Sequence, residues 1–173
     1  MRPPNPQDIA AALAPVHAHL PPTPLIRCPA LSARFGCDLS LKCEIFQPVG
    51  AFKVRGGVYL VSRLAAEDRK VGLISASTGN HGQSIAYAGR LFTAPVVIYA
   101  PAVGANEAKL DAMRHLGADV RQHGKDFDEA REQVEQASAA EGLRYIHSAN
   151  EPDLIAGVGT MGLEILDEAP QTQ

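Results

Sequence analysis

The sequence predicts an α/β fold: an open parallel sheet with helices on both faces. Three observations support it. From residue 71 onward, strand-like segments alternate with longer helical segments, which is the pattern of βαβ units. Residues 95–100 (Pro-Val-Val-Ile-Tyr-Ala) are apolar without alternation, as expected of a strand buried on both faces. Turns rich in glycine and small polar residues follow the predicted strands, where α/β sheets bind ligands.

The N-terminal third is proline-rich and less regular. The pattern predicts a helix over 6–14, a short helix over 31–36, a strand over 39–44 and a helix from 52 or 53 to 66. Asn5 is suited to cap the first helix and Pro6 to begin it. The segment that follows is expected to be extended, because proline disfavours a helical conformation for the residue before it.

The remainder carries the alternating pattern. Strands are predicted over 71–76, 95–100, 119–122 and 143–147, and helices over 82–91, 106–116, 127–140 and 153–168. Asn106, Asp126 and Asp153 are the expected N-caps, with Glu129 as the capping-box partner of Asp126. Phe127 is expected to begin the buried stripe of its helix, followed by alanine and valine at helical spacing.

Composition excludes several classes of protein. The chain has 173 residues with a net charge of −3, enough for one ordinary domain or two very small ones. No basic run indicates nucleic-acid binding, and no apolar stretch is long enough for a bilayer. Cys28, Cys37 and Cys43 are odd in number and form no C-x-x-C pair, so free thiols and a cytoplasmic location are expected. No metal site is expected.

The polar turn at residues 75–83 is the first candidate site. It reads Ser-Ala-Ser-Thr-Gly-Asn-His-Gly-Gln and connects a predicted strand to a predicted helix. Backbone N–H groups at a helix N-terminus bind anions, and hydroxyl and amide side chains can add hydrogen bonds. The turn is therefore either a site for a carboxylate or phosphate or a polar cap of the helix.

Lys53 is the second candidate. It follows Phe52 in a turn between apolar segments, where partial removal from water would make its amine a usable nucleophile. A single lysine at a helix start is more often a solvated surface group. The functional interpretation of Lys53 is supported by the presence of a second candidate segment. Lys53 and the 75–83 turn occupy the two most turn-like strand–helix junctions of the chain.

Residues 157–162 (Gly-Val-Gly-Thr-Met-Gly) match the pattern G-x-G-x-x-G. The dinucleotide fingerprint requires a buried strand just before it and an acidic residue after the next strand. Residues 151–156 instead have the pattern of a helix start. Close packing of this helix against another element explains the glycines better than a nucleotide site does.

Together these segments resemble the fold-type II pyridoxal-phosphate enzymes. Residues 50–57 (Gly-Ala-Phe-Lys-Val-Arg-Gly-Gly) are similar to their lysine motif, and residues 77–83 to their asparagine loop. Residues 156–165 resemble the helix by which one branch returns to its larger domain. That branch comprises the threonine/serine dehydratases, serine racemase and related hydroxy-amino-acid ammonia-lyases.

The resemblance implies roles for individual residues. Lys53 would hold pyridoxal 5'-phosphate as a Schiff base and move protons at the substrate α-carbon. Phe52 would pack near the cofactor ring, and Asn80 would hydrogen-bond the ring hydroxyl oxygen. The substrate carboxylate would be held by Ser77, Thr78, Gly79, Asn80 and His81. The implied reaction is β-elimination, which converts L-threonine or L-serine to a 2-oxo acid and ammonia.

Two positions depart from the family pattern. Ala51 stands where the family often has serine. Thr78 stands where racemase-like members carry a serine that is a second acid/base, opposite the lysine. A threonine hydroxyl could partly replace it, with its rotamers restricted by the β-branch. Thr78 is therefore the second candidate catalytic residue, and a serine racemase-like activity remains an alternative.

The resemblance also implies a domain division. Residues 53–151 would form the smaller α/β domain of a tryptophan synthase β-like fold. Residues 1–52 and 152–173 would be parts of the larger cofactor-binding domain. The fold would be incomplete, because family members are considerably longer and no glycine-rich phosphate loop occurs in the sequence. A homodimer is expected of the full-length parent.

Three further alternatives stay open. β-Replacement, as in the cysteine-synthase branch, is disfavoured because His81 rather than threonine follows Asn80. A non-catalytic fragment could bind a small anion or a partner subunit without turnover. A dinucleotide-binding domain depends only on the glycines at 157–162.

Overall fold

The structure is a computed structural model in which residues 2–172 are described; Met1 and Gln173, which the predicted domain ranges include, lie outside them. The helices are α1 (Pro6–His17), α2 (Pro29–Phe35), α3 (Lys53–Arg63), α4 (Ala66–Val71), α5 (Asn80–Leu91), α6 (Glu107–His115), α7 (Phe127–Glu141) and α8 (Pro152–Glu168). The strands are β1 (Leu25–Arg27), β2 (Ser40–Lys42), β3 (Leu73–Ala76), β4 (Val96–Ala100), β5 (Asp119–Gln122) and β6 (Arg144–Tyr145).

The main sheet has four parallel strands in the order β5-β4-β3-β6. This confirms the predicted parallel α/β sheet. The central strands β3 and β4 are buried along their whole length. β1 and β2 form a separate antiparallel ribbon.

Helices cover both faces of the sheet. On β4, Ile98 packs into the core formed with α3, α5 and α6, whereas Val97 and Tyr99 pack against α7 on the other face. Successive strand residues point to opposite faces. Burial on both sides therefore accounts for the unbroken apolar run at residues 95–100.

Several predicted boundaries are wrong. α1 continues through Pro15 to His17, because Val16 is fully buried and packing outweighs the local cost of the proline. Val71 ends α4 instead of beginning β3; the turn between them needs Gly72, whose φ of 109° favours glycine. The strand predicted over 39–44 shrinks to β2, followed by a 3₁₀ turn at Glu44–Phe46.

Helix starts also differ from prediction. α5 begins at Asn80, two residues earlier than expected. Asn106 and Asp126 cap α6 and α7 as predicted. Glu129 does not complete a capping box, because its carboxylate accepts from the backbone N–H of Lys125.

Two further assignments in the second half of the chain are corrected. The N-cap position of α8 is held by Glu151, with Pro152 as the first helical residue, so Asp153 lies inside the helix. Phe127 is 37% exposed and does not join the buried stripe of α7, which consists of Ala130, Val134 and Ala137.

α3 and α8 cross at very short range. A Cβ placed on Gly157 would lie 2.6 Å from the carbonyl oxygen of Arg55 and 2.9 Å from Cα of Gly56. A Cβ on Gly159 would lie 2.9 Å from Ile9 of α1, whereas one on Gly162 would meet nothing within 4 Å. The glycines at 157 and 159 therefore serve helix packing, as predicted.

A buried charge network joins this crossing to the N-terminal segment. The guanidinium of Arg55, which is fully buried, donates two hydrogen bonds to Glu44 and two to Glu164. His17 and Lys42 also contact Glu164, at 2.7 and 2.9 Å. Burial alone would raise the pKa of Glu164, but the hydrogen bonds from Arg55, His17 and Lys42 outweigh it and lower that pKa to about 2.

Candidate functional site

The two turns singled out in the sequence meet in one pocket of about 360 Å³. It lies at the carboxyl ends of the parallel strands, where open α/β sheets bind ligands. Its walls contain the candidate lysine, all five candidate loop residues and Ala76 of the same turn, together with one residue from each of three other segments: Lys53, Ala76, Ser77, Thr78, Gly79, Asn80, His81, Lys109, Phe127 and Ser148. Phe52 is not among them; it precedes α3 and is 39% exposed.

Lys53 is held by its backbone. It is the first residue of α3, and the Ser84 hydroxyl of α5 donates a 2.6 Å hydrogen bond to its carbonyl oxygen. Arg55, two residues on, anchors the same helical turn through its four bonds to Glu44 and Glu164. Within residues 2–172, the Lys53 amine itself has no hydrogen-bond or ion-pair partner. The amine is thus available to a ligand while its helix is fixed.

Ser77 organises the loop. Its hydroxyl oxygen accepts from the backbone N–H groups of Gly79 and Gly82, at 3.1 and 2.8 Å, and the side chain is buried. The serine therefore caps α5 from within the loop. None of the hydrogen bonds found in the described chain uses the backbone N–H groups of Thr78, Asn80 or His81. Free donors of this kind at a helix N-terminus are suited to bind an anion.

His81 is neutral in this setting. Burial, and then the positive charge of Lys53, lower its pKa from 6.5 to about 4. The Ser75 hydroxyl donates to the carbonyl oxygen of Ile146 at 2.7 Å and lies 2.9 Å from Nε2 of His81. Since that hydroxyl proton is already used, Nε2 is the protonated nitrogen and donates to Ser75. Nδ1 is a buried acceptor without a partner among the described residues.

The pocket is positively charged. Lys53 and Lys109 line it, and none of its lining residues is an aspartate or glutamate. Cationic side chains and free N–H donors favour a ligand that carries carboxylate or phosphate groups. In the described chain no cluster of histidine, cysteine, aspartate or glutamate has the arrangement of a metal site. No helix there is long and apolar enough to cross a membrane.

Three residues of the pocket were not predicted from the sequence as site residues. Lys109 lies in the first turn of α6, Phe127 is the first residue of α7, and Ser148 follows β6. Each follows a different strand, so only the order of strands in the sheet brings them together. The one available signal was positional, because each lies in the segment that follows the carboxyl end of a predicted strand.

The residues present fit pyridoxal phosphate. An amine without a partner, Lys53, suits an aldehyde group, and Asn80 offers an exposed amide in the same pocket. When bound, this cofactor supplies an electron sink for carbanion chemistry. Lys53 and Asn80 are the pocket residues that would hold it, and Phe52, just outside the pocket lining, would pack beside it.

Comparison with known proteins agrees with this fit. The family described as "Pyridoxal-phosphate dependent enzyme" matches residues 16–172. L-threonine ammonia-lyase of Thermotoga maritima is 38% identical over 151 residues, which cover 87% of this chain and 37% of the relative. L-threonine dehydratase biosynthetic IlvA of Escherichia coli is 35% identical, over 92% of this chain and 31% of the relative.

Solved structures share the fold. Processed threonine deaminase isoform 2 from Solanum lycopersicum superposes with a TM-score of 0.85 at 35% identity, covering 96% of this chain and 47% of that one. Maize serine racemase gives a TM-score of 0.90 at 28% identity, covering 95% of this chain and 50% of that one.

The chain thus spans half or less of the length of these relatives. The family match nevertheless extends over nearly the whole sequence and includes both motifs that meet in the pocket. This chain belongs to the pyridoxal-phosphate dependent enzymes, with the fold of their fold-type II members.

Proposed function

We propose that the parent protein is a pyridoxal-phosphate-dependent ammonia-lyase that converts L-threonine or L-serine to a 2-oxo acid and ammonia. The observation that carries the proposal is the meeting of Lys53 with the 77–81 loop in one cationic pocket. The relatives named as threonine ammonia-lyase and threonine dehydratase support the substrate class.

Each predicted residue has a task in this reaction. Lys53 holds the cofactor through its side-chain nitrogen and later accepts the α-proton of the substrate. When the cofactor is bound, Asn80 would hydrogen-bond its ring hydroxyl, and Phe52 would pack near the ring. The substrate carboxylate is bound by the free N–H groups of Thr78, Asn80 and His81. The Ser77 hydroxyl, being used within the loop, contributes by shaping Gly79 and its neighbours.

The elimination balances without an added oxidant or reductant. The α-C–H bond breaks, the proton moves to the Lys53 amine, and the electron pair forms a double bond to the β-carbon. The β-C–O bond breaks, and the departing hydroxide takes a proton from the Lys53 ammonium group and leaves as water. One water then hydrolyses the released unsaturated amino acid to a 2-oxo acid and ammonia. Neutral His81 adds no further positive charge to the pocket.

A domain division accompanies the function. We propose that residues 53–151 are the smaller domain and that 1–52 and 152–173 belong to the larger one, in a parent that forms a homodimer. α3 begins at Lys53 and packs against both α5 and α8, so the lysine stands where the two proposed parts meet. The Arg55 network ties the flanking segments together.

A racemase-like activity is the second candidate. Maize serine racemase and a pyridoxal 5'-phosphate-dependent aspartate racemase share this fold, at 28% and 31% identity. The Thr78 hydroxyl is exposed in the pocket and could deliver a proton to the face opposite Lys53. Chiral chromatography after incubation of the protein with L-serine separates the candidates: D-serine indicates racemisation, and pyruvate indicates elimination.

Attachment of the cofactor to Lys53 is the first test. Pyridoxal phosphate is added to the chain, the product is reduced with borohydride, and the modified peptide is identified by mass spectrometry. We expect the label on Lys53, with loss of labelling in Lys53→Ala and full labelling in Lys70→Ala, which removes a remote exposed lysine of α4. Equal labelling in both variants would refute the assignment.

Turnover is the second test. Protein that has bound the cofactor but has not been treated with borohydride is incubated with threonine or serine. If it gives neither 2-oxo acid nor racemised amino acid, the result would favour a fragment that binds without reaction. If circular dichroism shows an intact fold and no label forms at all, the cofactor role of this chain is wrong.

A further inference from the structure

Lys109 was not singled out by the sequence, yet it lines the same pocket as Lys53. A Cβ built on Gly79 would lie 3.4 Å from the Lys109 ammonium nitrogen and 3.6 Å from its Cδ. Gly79 lies between Thr78 and Asn80, whose backbone N–H groups are free. The side chain of Lys109 therefore lies against the anion-binding turn rather than extending into solvent away from it.

The helix that carries Lys109 is held firmly against this loop. Met113, one turn further along α6, is fully buried. A Cβ on Gly82 would lie 2.8 Å from the Met113 side chain, so α6 packs directly on the start of α5. Residues four apart share one face of a helix, which aligns Lys109 with Met113. At the other end, the Asn106 side chain caps α6 by accepting from the Lys109 N–H.

The charge of Lys109 is not used within the protein. In the part of the chain that the structure describes, its ammonium group makes no hydrogen bond and no ion pair. The nearby acid of the same helix, Glu107, instead contacts Arg114 and Gln122. The pocket lining contributes no carboxylate that could neutralise the lysine.

We propose that Lys109 is the second cation of the substrate site and pairs with the α-carboxylate bound by the N–H groups of Thr78, Asn80 and His81. This inference rests on the proposed function for the identity of the ligand as an amino acid. Lys109 acts on carboxylate affinity, and Lys53 on bond breaking. The pair is exposed to solvent, so its contribution is about fivefold in affinity rather than a thousandfold.

The test measures carboxylate binding by the cofactor-free chain. Sodium acetate is titrated at constant ionic strength while the backbone amide resonances of residues 78–81 are followed by NMR. We expect a saturable shift in the original chain, a dissociation constant about fivefold higher in Lys109→Gln, and a nearly unchanged value in Lys109→Arg. Lys70→Gln, which removes the same charge at a distant exposed position, should bind acetate like the original chain.

The outcomes separate this inference from the proposed function. Equal acetate affinity in Lys109→Gln and Lys70→Gln would overturn it, and so would the absence of a saturable shift in the original chain. If Lys53 is labelled by the cofactor while Lys109→Gln binds acetate normally, the proposed function stands and this inference fails. If the affinity depends on Lys109 but Lys53 is not labelled, the carboxylate site stands without the cofactor role.

Discussion

The hydroxyl group of Ser84 donates a 2.6 Å hydrogen bond to the backbone carbonyl oxygen of Lys53. The bond joins the first turn of α3 to α5, the helix that begins at Asn80. The space for it exists because Gly57 has no side chain: a Cβ there would lie 2.3 Å from the Ser84 oxygen. The two candidate elements of the site are thereby held at a defined separation.

Ser84→Ala should lower the free energy of unfolding by about 1 kcal/mol, since a partly buried carbonyl oxygen loses a donor. It should also slow labelling of Lys53 by the cofactor, because the helix start is less well held. Urea unfolding and borohydride trapping measure the two effects. Ser62→Ala is the control, because its hydroxyl bonds only to its own helix, at the Tyr59 carbonyl. Equal labelling rates in both variants would contradict a positioning role.

Gly157→Ala should destabilise the fold by about 3 kcal/mol, because its Cβ would collide with the backbone of α3 at Arg55 and Gly56. Gly162→Ala, in the same helix and the same G-x-G-x-x-G motif, meets nothing within 4 Å. It should be neutral or stabilise by up to about 1 kcal/mol through helix propensity. Thermal unfolding followed by circular dichroism compares them. Similar melting temperatures would show that the close crossing of α3 and α8 is not important for stability.

Arg55→Met should cost about 3–5 kcal/mol, because Glu44 and Glu164 would stay buried without their shared cation. Arg55→Lys should recover only part of this, since an ammonium group cannot form two bidentate pairs. Arg63→Met is the control: its ion pair with Asp153 is exposed and worth no more than about 1 kcal/mol. Urea titration gives all three values, and a loss in Arg55→Met no larger than the control would contradict the prediction.

Acidification should destabilise the chain through His81. The folded state holds the pKa of His81 at about 4, below its ordinary value of 6.5. The unfolded chain therefore binds the proton more readily. The stability contribution is complete above pH 6.5 and falls by at most about 1.4 kcal/mol per pH unit as the pH drops toward 4.

His81→Gln keeps a polar side chain that does not titrate, so its unfolding free energy should fall less between pH 7.5 and pH 5. His123→Gln, at an exposed position, should retain the pH dependence of the original chain. The measurement is urea unfolding at both pH values. If the unfolding free energies of His81→Gln and His123→Gln depend equally on pH, the prediction that His81 is buried in its neutral form is wrong.

The features that were predicted correctly are those set by residues close together in the sequence. The alternation of strands and helices, the apolar run at 95–100 and the caps at Asn106 and Asp126 depend on neighbouring residues, and all appear in the structure. Predictions failed where a distant contact decided the local conformation. α1 passes Pro15 because Val16 is buried in the core. The capping box failed for a local reason: the Glu129 carboxylate accepts from the backbone N–H of Lys125, four residues earlier. The sequence pattern does not show which of two possible contacts a side chain makes in the folded protein.

The sequence by itself determined the fold class, the family resemblance and the two motifs around Lys53 and Asn80, because these are written in contiguous residues. The tertiary structure decided that Lys109 joins them and that Arg55 is a fully buried cation between two carboxylates. It also decided that the Ser77 hydroxyl oxygen accepts hydrogen bonds from the backbone of its own loop. The physical reason is that strand order and helix crossings bring distant residues within hydrogen-bond distance, and burial then fixes which groups must be paired and which stay free for a ligand.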